Sequence, residues 1–420
     1  GAGALANTFN GNHRSVIALD AQAGPSTNFL LFFNLPATEM QPVADNFDVQ
    51  ENLFNVSGGV KLPADMTVAE LYELENQIQH GIDLGALGFV TVKPNEAFVT
   101  ENAFLSPLTT TPSLQRAHDK AVDGFTIYTQ PEVFTNALNN AKDLTLVTNP
   151  AGRVSLPGLV SSGAGKSLLI ADTLVIVDSL RLNAGFVNLV GGTLILSDGI
   201  DITGGSDVSF VRTDANPGFV WHENVAGTAK LYPIGINASY NPLSLSNAGT
   251  PDNIAVRLVN DVFEDGLNGA AVPQVVDKTW VINEGTPGGS ELTATFNWTG
   301  ANEKAGFNRN EIYVDAYRGS WVNVSGTDAL AATGSDPYAV VTPISGSYSN
   351  TPVRISNVPL ELGNLYYVDI ITGDDTRSNA EAQNPNTPWK TLTNALARVD
   401  NGDSIQVFDG TYNESDLLIN

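Results

Sequence analysis

Three sets of side chains in this sequence have types and spacings that chemistry could use. The first is Gly163-Ala164-Gly165-Lys166-Ser167, which reads like the end of a loop that wraps a phosphate in backbone N–H groups. Such a loop needs a glycine five residues before Gly165, and Val160 stands there. It also needs a helix to follow, yet SLLIADTLVIVD from Ser167 to Asp178 has the pattern of strands. A turn between strands is the better reading. The second set is acidic. Asp369, Asp374 and Asp375 could offer hard oxygen ligands to calcium, or could hold the N–H groups of their own loop. Asp198, Asp201 and Asp207 surround a glycine-rich turn but lack the nonapeptide repeat of calcium-binding rolls. The third set is aromatic. Trp298 and Trp321 fall at strand or loop ends, where an indole either stacks on a sugar or packs into a core.

Most other chemistry lacks its residues. There is no cysteine, hence no disulfide, thiolate nucleophile or cysteine metal site. His13, His80, His118 and His222 are scattered, which argues against a histidine zinc site. Within the strand-rich stretch 168–211, Arg181 is the one basic residue, with Lys166 and Arg212 at its ends. No carboxylate pair with a partnering base is recognisable, so no catalytic, cofactor-binding or metal-ligating residue is assigned. Calcium is the one cofactor the acidic loops leave open.

The elements that must position these groups are short and mostly β. Charged residues make up 15% of the 420, against 39 glycines and 22 prolines, a turn-rich profile that suits two to four β-domains. The formal net charge of −25 repels nucleic acid and anionic membranes. No run of 18 apolar residues occurs, so membrane insertion is not expected. The most apolar stretch, FLLFFNL at 29–35, reads as a buried strand, and the opening GAGALANTFN has no basic or apolar leader, which reads as a signal peptide absent or removed. Between 144 and 211, three- to five-residue strands recur behind small turns such as Gly191-Gly192 and Gly204-Gly205, closer than hairpins of a sandwich allow and suited to stacked coils. From 226 to 359 strands lengthen and spread, as in an antiparallel sandwich.

One stretch occurs twice. Leu84, Gly85, Leu87 and Val90 reappear 278 residues later as Leu362, Gly363, Leu365 and Val368. Pro107, Thr109, Leu114, Ala117, Gly124 and Ile127 reappear at the same spacing as Pro385, Thr387, Leu392, Ala395, Gly402 and Ile405. A second, fainter echo links Arg14, Ile17 and Asp20 to Arg309, Ile312 and Asp315. The spacing of Val68, Leu71, Leu74 and Ile78 predicts a helix within 65–79, and SLQRAHDKAV predicts another.

The later copy resembles a known cap. Its order is strand (Tyr366–Asp369), polar loop (Gly373-Asp374-Asp375), helix (Pro388-Trp389-Lys390-Thr391-Leu392), strand (Gly402-Asp403-Ser404-Ile405) and turn (Gly410-Thr411-Tyr412). That order resembles the N-terminal cap of pectin-lyase-like right-handed parallel β-helix proteins. The segments LYPIGINASYNPLSLSNAGTPDNIAVRLV and KTWVINEGTPGGSELTATFNW resemble β-sandwich modules of large Bacteroidetes-type surface proteins. Together they imply an all-β chain: a short right-handed parallel β-helix with a capping helix, alternating with antiparallel β-sandwich modules in a repeat of about 278 residues. The expected domains are 1–81, a partial sandwich-like module; 82–225, cap plus β-helix; 226–359, sandwich; and 360–420, the start of a second cap.

That architecture implies a structural segment of an extracellular bacterial surface fibre, stalk or adhesin. Its partners would be neighbouring modules or further copies, including copies that complete one another by strand exchange, with surface glycans a further partner. The rival is a carbohydrate-active enzyme or binding module, since polysaccharide lyases of the β-helix class share the fold the cap implies.

Overall fold

The computed structural model describes residues 47–76, 78–83, 88–100, 113–213, 218–357, 365–399, 403–415 and 417, together with two-residue strands at Thr8–Phe9 and Ile17–Ala18. The strand expected at 28–34, the 13–20 echo apart from Ile17–Ala18, and Leu84, Gly85, Leu87, Pro107, Thr109, Leu362, Gly363 and Gly402 of the repeat lie outside these residues. The chain is nearly all β, with 48% strand and 9% helix, and contains a parallel β-solenoid of about five turns. It divides into two compact units: Gly1–Leu243 with Asp252–Leu258, and Ser244–Pro251 with Val259–Asn420.

The first unit begins with a helix-centred core. Strand β1 (Phe47–Asp48) precedes helix α1 (Val68–Glu75), which lies inside the predicted 65–79. A capping box starts α1: the Thr67 hydroxyl accepts from the Glu70 N–H, and the Glu70 carboxylate accepts from the Thr67 N–H. Leu71 and Leu74 on the helix join Val49, Phe54, Val90 and Phe98 in one buried cluster. That cluster runs across the boundary expected after residue 81. It does so because β2 (Val90–Thr91) pairs parallel with β1, Phe47 opposite Val90, so the two sides share a core. The pairing is parallel, whereas Leu53–Val56 pairs antiparallel with Gly59–Lys61.

Strand β3 (Glu96–Val99), helix α2 (Leu114–Lys120) and strand β4 (Phe125–Thr129) complete the cap, with β3 parallel to β4. The solenoid follows through β5 (Leu144–Thr148), β6 (Arg153–Ile170), β7 (Thr173–Leu189) and β8 (Thr193–Leu196), all paired in parallel. Three faces emerge from the register. Phe125, Leu144, Leu168, Val187, Val211 and Ile234 stack in one column, Val154, Leu174, Leu194 and Val220 in a second, and Leu138, Leu159, Leu180 and Ile202 in a third. Period-two alternation sends these residues inward; all but Ile202 are buried. β6 and β7 run 18 and 17 residues because they bend at bulges, between Leu156 and Gly158 and between Ser162 and Ser167, instead of ending. At one such corner Gly185 has φ +78°, and a Cβ there would lie 2.2 Å from the Gly163 carbonyl oxygen. The domain boundary expected after 225 falls inside this unit, since Val220–Val225 pairs antiparallel with residues 252–256.

The second unit contains the antiparallel sheets expected for 226–359. β9 (Lys278–Glu284) and β10 (Leu292–Trp298) face each other, with Trp280 and Phe296 rings 5.1 Å apart. β11 (Tyr313–Tyr317) pairs with β12 (Trp321–Asn323), β13 (Tyr338–Ile344) with β10, and β14 (Thr351–Ser356) with β9 and β11, every pairing antiparallel. The later copy of the cap has β15 (Leu365–Val368), helix α3 (Leu392–Leu396) and β16 (Ser404–Val407), with β15 parallel to β16.

The two caps correspond at their helices. Ser113 and Thr391, 278 residues apart, are both helix N-caps whose hydroxyls accept from the third N–H of the helix. Ala117 and Ala395 at the same spacing are both fully buried. The strand before the helix breaks the spacing. Tyr366 pairs with Ile405, whereas Ile127 pairs with Ala97 and Val90 belongs to another sheet. Val368 therefore corresponds to Val99, 269 residues earlier, and the later loop is nine residues longer. The gapless match of Val90 with Val368 is corrected accordingly.

Candidate functional site

Lys166, the lysine of the phosphate-loop look-alike, lies at a solenoid corner between two carboxylates. Its Nζ is 2.5 Å from Asp123 Oδ2 and 3.1 Å from Asp143 Oδ2. The same acids tie successive rungs: Asp123 accepts the Asp143 N–H at 3.0 Å and Asp143 accepts the Ser167 N–H at 2.8 Å. Hydrogen bonds from Lys166 and the Asp143 N–H hold the Asp123 carboxyl below its usual range, and the two acids raise Lys166 in return. Gly165 takes φ +71° inside β6, so the glycines here serve a corner of the chain. The corner is an ionic clasp.

The acidic sets do not converge. Asp369 accepts from the Thr372 hydroxyl and the Ile371 N–H, Asp374 from the Thr376 N–H and hydroxyl, and Asp375 from the Lys390 and Thr391 N–H groups. Those donors hold Asp369 and Asp374 below the ordinary carboxylate range. Asp198 binds Lys230 and Asn224, Asp201 lies 3.8 Å from Arg181, and Asp207 accepts the Tyr240 N–H. Each of these carboxylates has a hydrogen-bond donor or a cation as its partner.

The tryptophans separate. Trp298 is fully buried with its Nε1–H on Glu303, so it packs a core and offers no sugar platform. Trp321 is half-buried, donates to the Phe263 carbonyl, and lies under the Arg354 guanidinium at 4.4 Å. Arg354 also pairs with Asp315 at 2.9 Å, and Ser356 donates to the same carboxylate oxygen. A cleft of about 740 Å³ opens at Leu292, Val324, Pro343 and Ile344, but Asn323 on its rim already bonds Gly326 and Ser325.

One cluster escaped the sequence reading. Glu75, His80 and Asp83 are buried, with their ligand atoms all within 4.8 Å of one another, the one such group among the described residues. His80 Nε2 is 2.5 Å from Glu75 Oε1, Nδ1 accepts the Val90 N–H at 3.1 Å, and the His80 N–H donates to Asp83 at 3.0 Å. Since Nδ1 accepts, Nε2 carries the proton, and neither nitrogen has a lone pair left for a metal. Burial opposes charge on His80, but Glu75 and then Asp83 outweigh it and hold that pKa above the usual histidine value. With His80 0% exposed, no substrate reaches the ring. Spacing gave no hint, because the third partner is a backbone N–H ten residues away.

Compared with protein-family models, curated proteins and solved structures, the chain matches none, so the parallel β-solenoid rests on the geometry above.

Proposed function

We propose that this chain is a structural repeat segment of a large extracellular cell-surface fibre, stalk or adhesin. The observation that carries the reading is the repeated cap. The same N-capped helix and following strand occur at 278-residue spacing, Ser113–Ile127 and Thr391–Ile405, and the first of them heads a solenoid. A repeated cap suits a chain assembled from serial modules. The lysines and carboxylates that could have worked on a substrate are engaged in holding rungs and loops together. The acidic balance suits a molecule that must stay dispersed in an external medium. Its partners on this reading are neighbouring modules of the same fibre.

Antibodies raised against the purified chain test this. Gold labelling of intact, unpermeabilised cells is expected along surface filaments. Labelling only after lysis overturns the proposal.

A further inference from the structure

His80 Nδ1 has a single lone pair, and two things compete for it. One is the Val90 N–H, which occupies it at 3.1 Å. The other is a proton, which the buried carboxylates of Glu75 and Asp83 attract. The consequences differ for β2. Val90 is 1% exposed and belongs to the core around α1, and its strand is held to β1 by only two residue pairs. Beside it, Gly81 donates to the Gly88 carbonyl at 2.7 Å and Phe89 stacks on the His80 ring at 5.3 Å.

We propose that Glu75, His80 and Asp83 form a proton-operated clasp on β2. Acidification puts a proton on His80 Nδ1, expels the Val90 N–H, and loosens Phe89–Val92 from β1 while the solenoid stays folded. The groups facing His80 are Glu75 from α1, Asp83 from its own turn, and Lys120 from α2, which opposes the proton. Arg116 on α2 sits behind Asp83, donating to the Ile82 carbonyl at 2.5 Å. The imidazolium that results stays paired with Glu75 through Nε2, so the cluster keeps its strongest contact and the opening is local.

Hydrogen exchange of the full chain, corrected for the intrinsic rate, tests this between ~pH 9 and ~pH 5, which spans the ordinary histidine range and the region above it to which the carboxylates raise His80. Protection of the peptide over Phe89–Val92 is expected to fall about tenfold or more, with β5 to β8 unchanged. His80→Gln can still accept from Val90 and donate to Glu75 but cannot take the proton, so its protection should stay flat. Should that variant fold poorly, Glu75→Gln keeps an acceptor for Nε2–H, lacks the charge that draws the proton, and should move the transition to lower pH. Constant protection in the wild type, loss spread evenly over the solenoid, or an unmoved transition in Glu75→Gln overturns the clasp.

Discussion

Lys142 Nζ stands 2.6 Å from the carbonyl oxygen of His118 and 2.7 Å from that of Ala121. A side chain from the loop before β5 therefore closes the C-terminal end of α2, with a third bond to the Asp119 carbonyl at 3.1 Å. His118 returns the contact, since its Nε2 accepts the Ala141 N–H at 3.2 Å. Cap and solenoid are joined by this exchange between helix end and loop.

Replacing Lys142 by Met keeps the stem and removes the donor. The last carbonyls of α2 then lose a charged partner, a change of about 1–2 kcal/mol. Hydrogen exchange should accelerate at the Ala117 and Ala121 amides, with little change in β8. Equal acceleration in both places would mean that Lys142 supports the whole unit instead of the helix end.

At the Lys166 corner, the acids should matter more than the lysine. Lys166→Met removes contacts that are half-exposed and open to screening, so its effect should shrink in molar salt. Asp143→Ala also strips the acceptor from the Ser167 N–H, where water must substitute. Urea midpoints should therefore rank wild type, Lys166→Met, then Asp143→Ala, and salt should narrow only the first gap.

Much of this was legible in residue patterns. Alternation in Leu144–Thr148 and Thr193–Leu196 marks strands that bury every second side chain, and the structure has them there. The strand at 153–161 is obscured in the sequence by Pro157 and Gly158, residues that disfavour a regular strand, and the ladder passes them through a bulge. The helix of each cap is legible because Leu114, Ala117 and Ala121, and Leu392, Ala395 and Leu396, recur at helical spacing. The strand before the helix is ambiguous in the sequence by nine residues, since Phe89-Val90-Thr91 and Phe98-Val99-Thr100 are identical, and only the pairing of Ala97 with Ile127 separates them. The His80 cluster depends on a backbone N–H, which no residue type announces.

The inner columns set the scale for solenoid stability. Leu174 is 1% exposed between Val154 and Leu194, so Leu174→Ala leaves a cavity that the stacked rungs cannot close, at about 3–5 kcal/mol. Gly185→Ala should destabilise by another route, forcing a side chain at φ +78° against the Gly163 carbonyl. Xenon or benzene should partly restore the melting temperature of the first variant, which has a cavity, and leave the second unchanged.

His222 gives the first unit an acid-sensitive stability. Its Nε2–H donates to the Leu231 carbonyl at 2.7 Å, its ring meets Tyr232 edge-on at 4.7 Å, and it is 1% exposed. Burial pushes its pKa down to about 4. Unfolded histidine titrates near 6.5, so between ~6.5 and ~4 the unfolded chain binds a proton that the folded chain refuses. Stability from this group is therefore present above that window and lost as pH falls through it, by at most about 3 kcal/mol. His118, also lowered by burial, acts in the same direction, whereas His80, raised by its carboxylates, acts in the opposite one. His222→Gln cannot take a proton and keeps a donor for the Leu231 carbonyl, so it should flatten part of the acid slope while leaving the contribution of His118. The check is the urea midpoint of the first unit at pH values across the window, followed by exchange of the rung strands. An unchanged slope in His222→Gln would show that the ring is hydrated in the folded chain and that its burial does not govern the acid response.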